Sequence, residues 1–326
     1  DKLGLITLVL TMAYRGGVNY EDTLGTTAIW DSIIYRDLHV NKIAIPFAER
    51  KTRTAYPGGY VKDPIIGMHK HIVSFDLNSL YPSIIMQYNM SPETIADGEM
   101  DSISVDAILN NPAIVDNKNK SISASGQYFN LDKPGIFPRL VFNMYSDRVK
   151  IKKAMLESKS ALELIDKEDK QSTYRLESQI ARFENEQMSI KLLLNSLYGA
   201  MGNQYFRYFD QRIAEAITLT GQLTIRWGEI ALNNAINKIL KTKEKDYVIA
   251  MDTDSLYVNL DPLVEKLKPE NTIDFLDKAC KELEKYLEKS YLELFDVMGG
   301  TVNKMVMSRE VIADRGIWTA KKRYLL

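Results

Sequence analysis

The stretch Tyr247-Val248-Ile249-Ala250-Met251-Asp252-Thr253-Asp254-Ser255-Leu256-Tyr257-Val258 decides the fold. A run rich in β-branched and aromatic residues, a tight polar turn, then a second such run reads as a β-hairpin. Two carboxylates at i and i+2 crowd negative charge near its tip. Close like charges disfavour joint ionisation unless something positive is nearby. The natural counter-charge is a divalent cation, and hard oxygen ligands on a turn suit Mg²⁺. Asp-x-Asp is also a common surface turn, so the rest of the chain must decide between the two.

Upstream, His71-Ile72-Val73-Ser74-Phe75-Asp76 reads as a strand ending on a carboxylate, followed by Leu77-Asn78-Ser79-Leu80-Tyr81-Pro82. A carboxylate at a strand end before a turn that exposes backbone N–H groups suits a metal-phosphate site: the metal takes the carboxylate and the amides take phosphate oxygens. The alternative is a buried strand whose Asp caps the next helix. After Pro82, Ser83-Ile84-Ile85-Met86 is expected to begin a helix. Residues 97–135 are weakly patterned, with turn signals at Asn110-Asn111-Pro112 and Asp132-Lys133-Pro134-Gly135.

From Pro138 to about Leu164 apolar residues recur at helical spacing. Lys167-Glu168-Asp169-Lys170 makes a polar break, and a second helix pattern runs to about Tyr198, giving an αα-hairpin. Lys191, Asn195 and Tyr198 stand at i, i+4 and i+7 on one face of that helix, and Arg148 and Lys152 share a face of its partner. A cation, an amide and an aromatic ring in line suit a nucleoside triphosphate, and Gly199 lets a base pair approach the backbone; a basic helix face is also often merely solvated. A third helix is expected over Arg212–Leu240, a solvated turn over Lys241–Asp246 and an amphipathic helix over Ile273–Tyr291. Then follow a strand-like Lys304-Met305-Val306-Met307, Arg309-Glu310 and the basic Lys321-Lys322-Arg323-Tyr324.

The length of 326 residues is room for roughly two domains of ~150 residues. A hydrophobic share of 45 % allows a packed core and argues against global disorder. A formal net charge of −1 excludes a simple basic nucleic-acid coat, although a balanced total can hide a local basic face. The single Cys280 forms no internal disulfide and fits a reducing compartment. No run of 18 apolar residues spans a membrane. The opening Asp1-Lys2-Leu3-Gly4-Leu5-Ile6-Thr7-Leu8-Val9-Leu10 reads as a helix entered mid-protein, and the close on Tyr324-Leu325-Leu326 falls inside an apolar run; both suggest a fragment of a longer polypeptide.

Taken together, Asp-x-x-Ser-Leu-Tyr-Pro-Ser-Ile, Lys-x-x-x-Asn-Ser-x-Tyr-Gly and Asp-Thr-Asp-Ser, in this order, resemble motifs A, B and C of family B DNA polymerases, most of all the replicative ones of T4-like bacteriophages. The resemblance covers nearly the whole chain, including Ser91–Ile95, Asn203–Asp210 and Lys321–Tyr324. It implies an α+β fold: a palm of antiparallel sheet flanked by helices, with an inserted antiparallel two-helix fingers subdomain. Residues 1–70 would follow an exonuclease domain absent here, 71–137 form the first part of the palm, 138–200 the fingers and 201–326 the rest of the palm, with the thumb also absent.

By the same resemblance, two Mg²⁺ ions, with Mn²⁺ a possible substitute, lie between Asp76 and Asp254, with Asp252 beside them and the Leu77 carbonyl as a backbone ligand. A primer 3′-hydroxyl attacks an α-phosphate in line, and two cations ~3.5–4 Å apart stabilise the attacking and leaving oxygens. Positioning and electrostatics then dominate. Ser79 and Leu80 match amides that bind the triphosphate, and Tyr81 matches a steric gate against a ribose 2′-hydroxyl. Arg148, Lys152, Lys191 and Asn195 match residues gripping the triphosphate. Tyr198 and Gly199 match the surface beside the nascent base pair. Lys321, Lys322, Arg323 and Tyr324 match a motif holding the primer terminus. Tyr56, Gly58 and Gly59 match a template-touching segment, and Glu310 a third acid near the metals.

Met251 stands where the family usually has a small residue and is expected to narrow the turn without removing a ligand. The implied partners are primer–template DNA, dNTPs and a sliding clamp reached through a tail absent here, with no membrane; the implied setting is phage DNA replication in a host cytoplasm. The rival readings are a catalytically silent polymerase-like DNA-binding subunit, one half of a split polymerase inactive without its partner, and a nucleotide-sugar transferase using Asp-x-Asp. A reverse transcriptase would place two adjacent aspartates, which Thr253 separates.

Overall fold

The computed structural model describes residues 5–47, 52–99, 102–112, 119–166 and 169–326. In chain order the elements are α1 (Leu5–Gly16), α2 (Thr26–Val40), β1 (Val61–Lys62), β2 (Gly67–Leu77), α3 (Leu80–Gln87), β3 (Ile95–Glu99), α4 (Val105–Asn110), β4 (Lys120–Ile122), β5 (Gln127–Asn130), α5 (Ile136–Leu164), α6 (Lys170–Met201), α7 (Gln211–Leu240), β6 (Val248–Asp252), β7 (Ser255–Asn259), α8 (Asp261–Leu267), α9 (Thr272–Met298), β8 (Met307–Ala320) and β9 (Arg323–Leu325). Helices combined with antiparallel sheets make the fold α+β. No helix among the described residues is long and apolar enough to cross a membrane.

The chain divides into two compact units, Asp1–Thr54 with Gly135–Ala214, and Ala55–Pro134 with Glu215–Leu326; the division falls within α7. The first unit is helical. Antiparallel α5 and α6 are bridged by Lys159 and Glu184 at 3.6 Å. Helices α1 and α2 pack on α6. Trp30 of α2 is fully buried, and its indole N–H donates to the Leu193 carbonyl at 3.2 Å and the Ser196 hydroxyl at 3.1 Å. Arg139 of α5 holds Asp37 of α2 by two bonds at 2.7 and 2.5 Å, a bidentate fork that fixes orientation as well as distance.

In the second unit, six strands among the described residues form one antiparallel sheet in the order β1-β6-β7-β2-β8-β9. Ile72, Val73 and Phe75 of the central strand β2 are buried, on both faces of the sheet, because successive residues of a strand point to opposite sides. Helix α9 is set by its caps. Asn271 accepts from the Ile273 and Asp274 amides, and Gly299 ends the helix at φ +68°, in the left-handed region that glycine occupies without a Cβ penalty. Cys280 on α9 is buried, and burial pushes its thiol up to about 12, so it is a core residue and not a reactive one.

Several expectations need correction. Helix α3 begins at Leu80, ahead of Pro82, because proline is tolerated in a first turn, where its missing N–H has no intrahelical partner anyway. Ser79, not Asp76, is its N-cap. The strand expected at Lys304–Met307 begins only at Met307. The weakly patterned 97–135 region holds the end of β3 and all of α4, β4 and β5, the strands forming a second sheet in the order β3-β5-β4; strands of three to five residues are too short to show a period. The readings at Asp1–Gly4 and at Lys167 and Glu168 lie outside the described residues.

Candidate active site

The turn between β6 and β7 is built around Thr253. The Asp254 amide donates to the Asp252 carbonyl at 2.6 Å, and Thr253 has φ +54°. This is a γ-turn with a β-branched residue in the left-handed region, a conformation costing on the order of 1–3 kcal/mol that the surroundings must impose. They do so from one side: the Thr253 amide donates to the Tyr60 carbonyl at 2.9 Å. Gly59 leaves the room, since a Cβ there would lie 2.9 Å from Thr253 Oγ1. Met251 is 2 % exposed and paired with Lys62 and Leu256. It fills the core beneath the hairpin instead of narrowing the turn.

Register brings Asp76 to this turn. Asp76 pairs with Ser255 across β2 and β7, the Ser255 hydroxyl donates to Asp76 Oδ1 at 2.8 Å, and the Leu77 amide donates to the Asp254 carbonyl at 2.9 Å. Burial, and then the charge of Asp76, push the Asp254 carboxyl up to about 6, with smaller contributions from Asp252 and Glu310. Glu310 reaches the group because β8 bulges there: Ser74 pairs with Val311 and Phe75 with Arg309, leaving Glu310 as the extra residue. Bulges of this kind re-aim a side chain. Asp252 is engaged differently, by Lys322 Nζ at 3.2 Å and by the Thr253 hydroxyl at 3.1 Å.

Tyr81, one residue into α3, lies against the same turn. Burial, followed by the charges of Asp254 and Tyr56, pushes its hydroxyl up to about 12. Ser79, the N-cap, has φ +52° and no side-chain cap bond, and the Ser83 hydroxyl donates to the Asn78 carbonyl at 3.1 Å. Gly58 is held by Gln222 of α7, which donates to its carbonyl at 2.6 Å. Lys321 and Lys322 form the turn between β8 and β9. Lys321 pairs with Asp63 at 3.1 Å, Arg323 is exposed, and the Tyr324 hydroxyl meets the Tyr257 hydroxyl at 2.6 Å while its ring stacks on Trp318.

The remaining sequence-selected residues belong to the helical unit. Arg148 on α5 is half-buried, and its Nε is buried with no hydrogen-bond partner. A buried charged donor without an acceptor is costly, so this atom suits an incoming oxyanion. Lys152 is exposed on the same helix; Lys191 and Asn195 are exposed on α6, and Tyr198 is half-buried. Gly199 lines a cavity of about 420 Å³ with Arg53, Gly202, Asn203, Gln204 and Tyr205.

Sequence reading missed Ser255, Lys62, Gln222 and Gly221 as members or supports of the site. Only Gly221, a glycine inside a helix pattern, carried a local signal; the others depend on long-range pairing. Among the described residues no three acidic, imidazole or thiol groups gather tightly enough to hold a metal by themselves. Two carboxylates, Asp76 and Asp254, with a destabilised negative charge between them, fit a cation of the Mg²⁺ type, which is commonly bound by one or two carboxylates plus substrate phosphates.

The fold and site define an α+β protein with a carboxylate pair where a central strand meets the tip of an antiparallel hairpin. The family model for DNA polymerase family B matches residues 25–297, and the chain belongs to that family. It is 32 % identical to the DNA-directed DNA polymerase of Escherichia phage RB69 over all of this chain and 41 % of the relative, and 32 % identical to that of Enterobacteria phage T4 over all of this chain and 42 % of the relative. DNA polymerase 1 of Pyrococcus abyssi is 30 % identical over 85 % of the chain and 28 % of its own length. The chain thus spans about two fifths of the phage relatives. Membership removes the nucleotide-sugar transferase and reverse transcriptase readings.

Proposed function

We propose that this chain supplies the nucleotidyl-transfer centre of a template-directed DNA polymerase acting in phage-type replication, in a host cytoplasm. The observation that carries the reading is the meeting of Asp76 with Asp254: strand register sets Asp76 opposite Ser255, the neighbour of Asp254, and the charge of Asp76 disfavours ionisation of Asp254. In this reading the sheet unit is the palm and α5 with α6 the fingers.

Asp76 and Asp254, with the Leu77 carbonyl, would hold the divalent cations that the family generally uses, Mg²⁺ in the first instance, with Asp252 and Glu310 as neighbouring acids. When bound, such cations lower the pKa of an attacking hydroxyl and stabilise the attacking and leaving oxygens. The protein's own part is positioning. The Ser79 and Leu80 amides at the start of α3 meet the triphosphate, where a helix N-terminus favours anions. Arg148, with its unsatisfied Nε, and Lys152, Lys191 and Asn195 grip the phosphates. Tyr198 and Gly199 face the nascent base pair. Tyr81 stacks under the sugar and excludes a 2′-hydroxyl. Lys321, Lys322, Arg323 and Tyr324 hold the primer terminus, and Tyr56, Gly58 and Gly59 touch the template. Primer–template DNA and dNTPs are the substrates, and a sliding clamp is a partner of the longer protein.

Primer extension by the full-length protein with Mg²⁺ tests this. Incorporation of the template-matched dNTP, abolished by EDTA and absent with mismatched dNTPs, is expected. Failure to extend a correctly annealed primer while binding it would overturn the assignment and favour the silent-subunit reading.

A further inference from the structure

Helix α7 carries two interior glycines, Gly221 and Gly228. Glycine inside a helix is disfavoured relative to alanine because it surrenders the most backbone freedom, so each needs a packing reason. At Gly228 the reason is Tyr291, a buried core residue whose hydroxyl fills the space of the missing Cβ. At Gly221 it is Tyr81. A Cβ at 221 would lie 3.1 Å from Tyr81 Cε1, 3.6 Å from Leu80 Cδ2 and 3.7 Å from Ile84 Cδ1. At the hydroxyl of the same ring, a Cβ at Gly59 would lie 3.3 Å away. Bare backbone from two separate segments thus meets the outer half of the ring. Gln222, adjacent to Gly221, donates to the Gly58 carbonyl at 2.6 Å and ties the second wall to the first.

We propose that Gly221 is a positioning residue that sets how far Tyr81 projects, and thereby the sugar selectivity of the nucleotide site, with Gln222 fixing the opposing Gly58-Gly59 wall. The inference rests on the reading of Tyr81 as the sugar gate. Carbon–carbon contacts are optimal near 3.5–4.0 Å, so a methyl group at 221 forces the ring off α7 by a few tenths of an ångström. Gly59 closes the hydroxyl side, and the partly exposed side of Tyr81 is the direction left. The gate narrows. A deoxynucleotide binds less tightly, and a ribonucleotide, which needs more room at the 2′ position, is rejected more strongly.

The test is steady-state single-nucleotide insertion by the full-length protein with matched dNTP and rNTP, comparing the unsubstituted protein, Gly221→Ala, Tyr81→Ala and the double variant. Gly221→Ala is expected to raise the dNTP KM several-fold with kcat little changed, and to raise the dNTP-over-rNTP ratio of kcat/KM. Tyr81→Ala is expected to lower that ratio. In the double variant alanine at 221 should add nothing, because the ring it acts on is gone. If Tyr81→Ala leaves the ratio unchanged, the gate reading itself fails. If Tyr81→Ala lowers it while Gly221→Ala leaves it unchanged or lower, or if the two effects simply add, the seat fails and the gate stands. Alanine favours the helix, so folding should survive. Should a thermal melt show otherwise, Gln222→Ala carries the test: a loosened wall lowers the ratio, and an unchanged ratio overturns the proposal.

Discussion

Replacing Lys62 with methionine keeps the length and apolar stem of the side chain and removes its charge. The ammonium uses all three of its donors, to Glu229 Oε1 at 2.5 Å, Asp246 Oδ2 at 2.5 Å and the Val248 carbonyl at 2.7 Å. Lys62 and Glu229 side chains are only 15 % and 17 % exposed, Asp246 42 %. Removing one partner of a buried pair costs about 3–5 kcal/mol, because the other charge stays buried and uncompensated. Asp246 keeps the Asn233 amide at 2.9 Å and is screened by water, so the expected loss here is about 2–3 kcal/mol. Adding Glu229→Gln should return about 1 kcal/mol of it, since the orphaned charge is then gone.

Burial pulls the Lys62 pKa down, but the bonds and charges of Asp246 and Glu229 outweigh it, so the folded value stands above 10.5. The stabilisation is therefore complete below 10.5 and is lost as pH rises through the folded value. Urea unfolding followed by tryptophan fluorescence should show a gap between the two proteins that is flat around neutral pH and closes only in strong alkali. A gap below about 0.5 kcal/mol at neutral pH, the size of an ordinary surface change, would refute the reasoning. Because β1 consists of Val61 and Lys62 paired with Asp252 and Met251, the same variant should also weaken primer extension.

Trp30→Ala removes a fully buried side chain and two hydrogen bonds and should destabilise the helical unit by about 3–5 kcal/mol; denaturant unfolding with a loss under about 1 kcal/mol would count against that packing. Tyr81→Ala should raise ribonucleotide incorporation, measured as the ratio of rNTP to dNTP insertion efficiency, and an unchanged ratio speaks against the gate. Lys191→Ala should raise the dNTP KM and lower turnover, since a charge-assisted phosphate contact is worth about 1.5–3 kcal/mol; unaltered kinetics would leave its helix face merely solvated.

The long helices were legible because their period survives over many turns. Pro138–Leu164 and Arg212–Leu240 fall within two residues of α5 and α7. The hairpin at Asp252-Thr253-Asp254 was legible from two apolar runs about one turn. The small sheet of β3, β4 and β5 was not, because its strands are too short to carry a period. Within the site, the aspartates stood out by residue type and spacing, and Tyr81 only through the resemblance of its motif to family B polymerases. Ser255, which steadies Asp76, and Lys62, which anchors β1, act through strand register and through partners up to 184 positions away, and nothing local in a sequence encodes that. Helix α9 ran past its expected end at Tyr291 because the stop is Gly299 in a left-handed conformation, a signal present in the sequence but read too early.

The central claim is that Asp76 and Asp254 form the reacting centre. Single-turnover primer extension with Mg²⁺ by the full-length protein, set beside a titration of primer–template binding, tests it for Asp76→Ala and Asp254→Ala. Incorporation should vanish in both variants while the Kd for primer–template stays nearly unchanged. Extension at close to the unsubstituted rate in either variant would contradict the account.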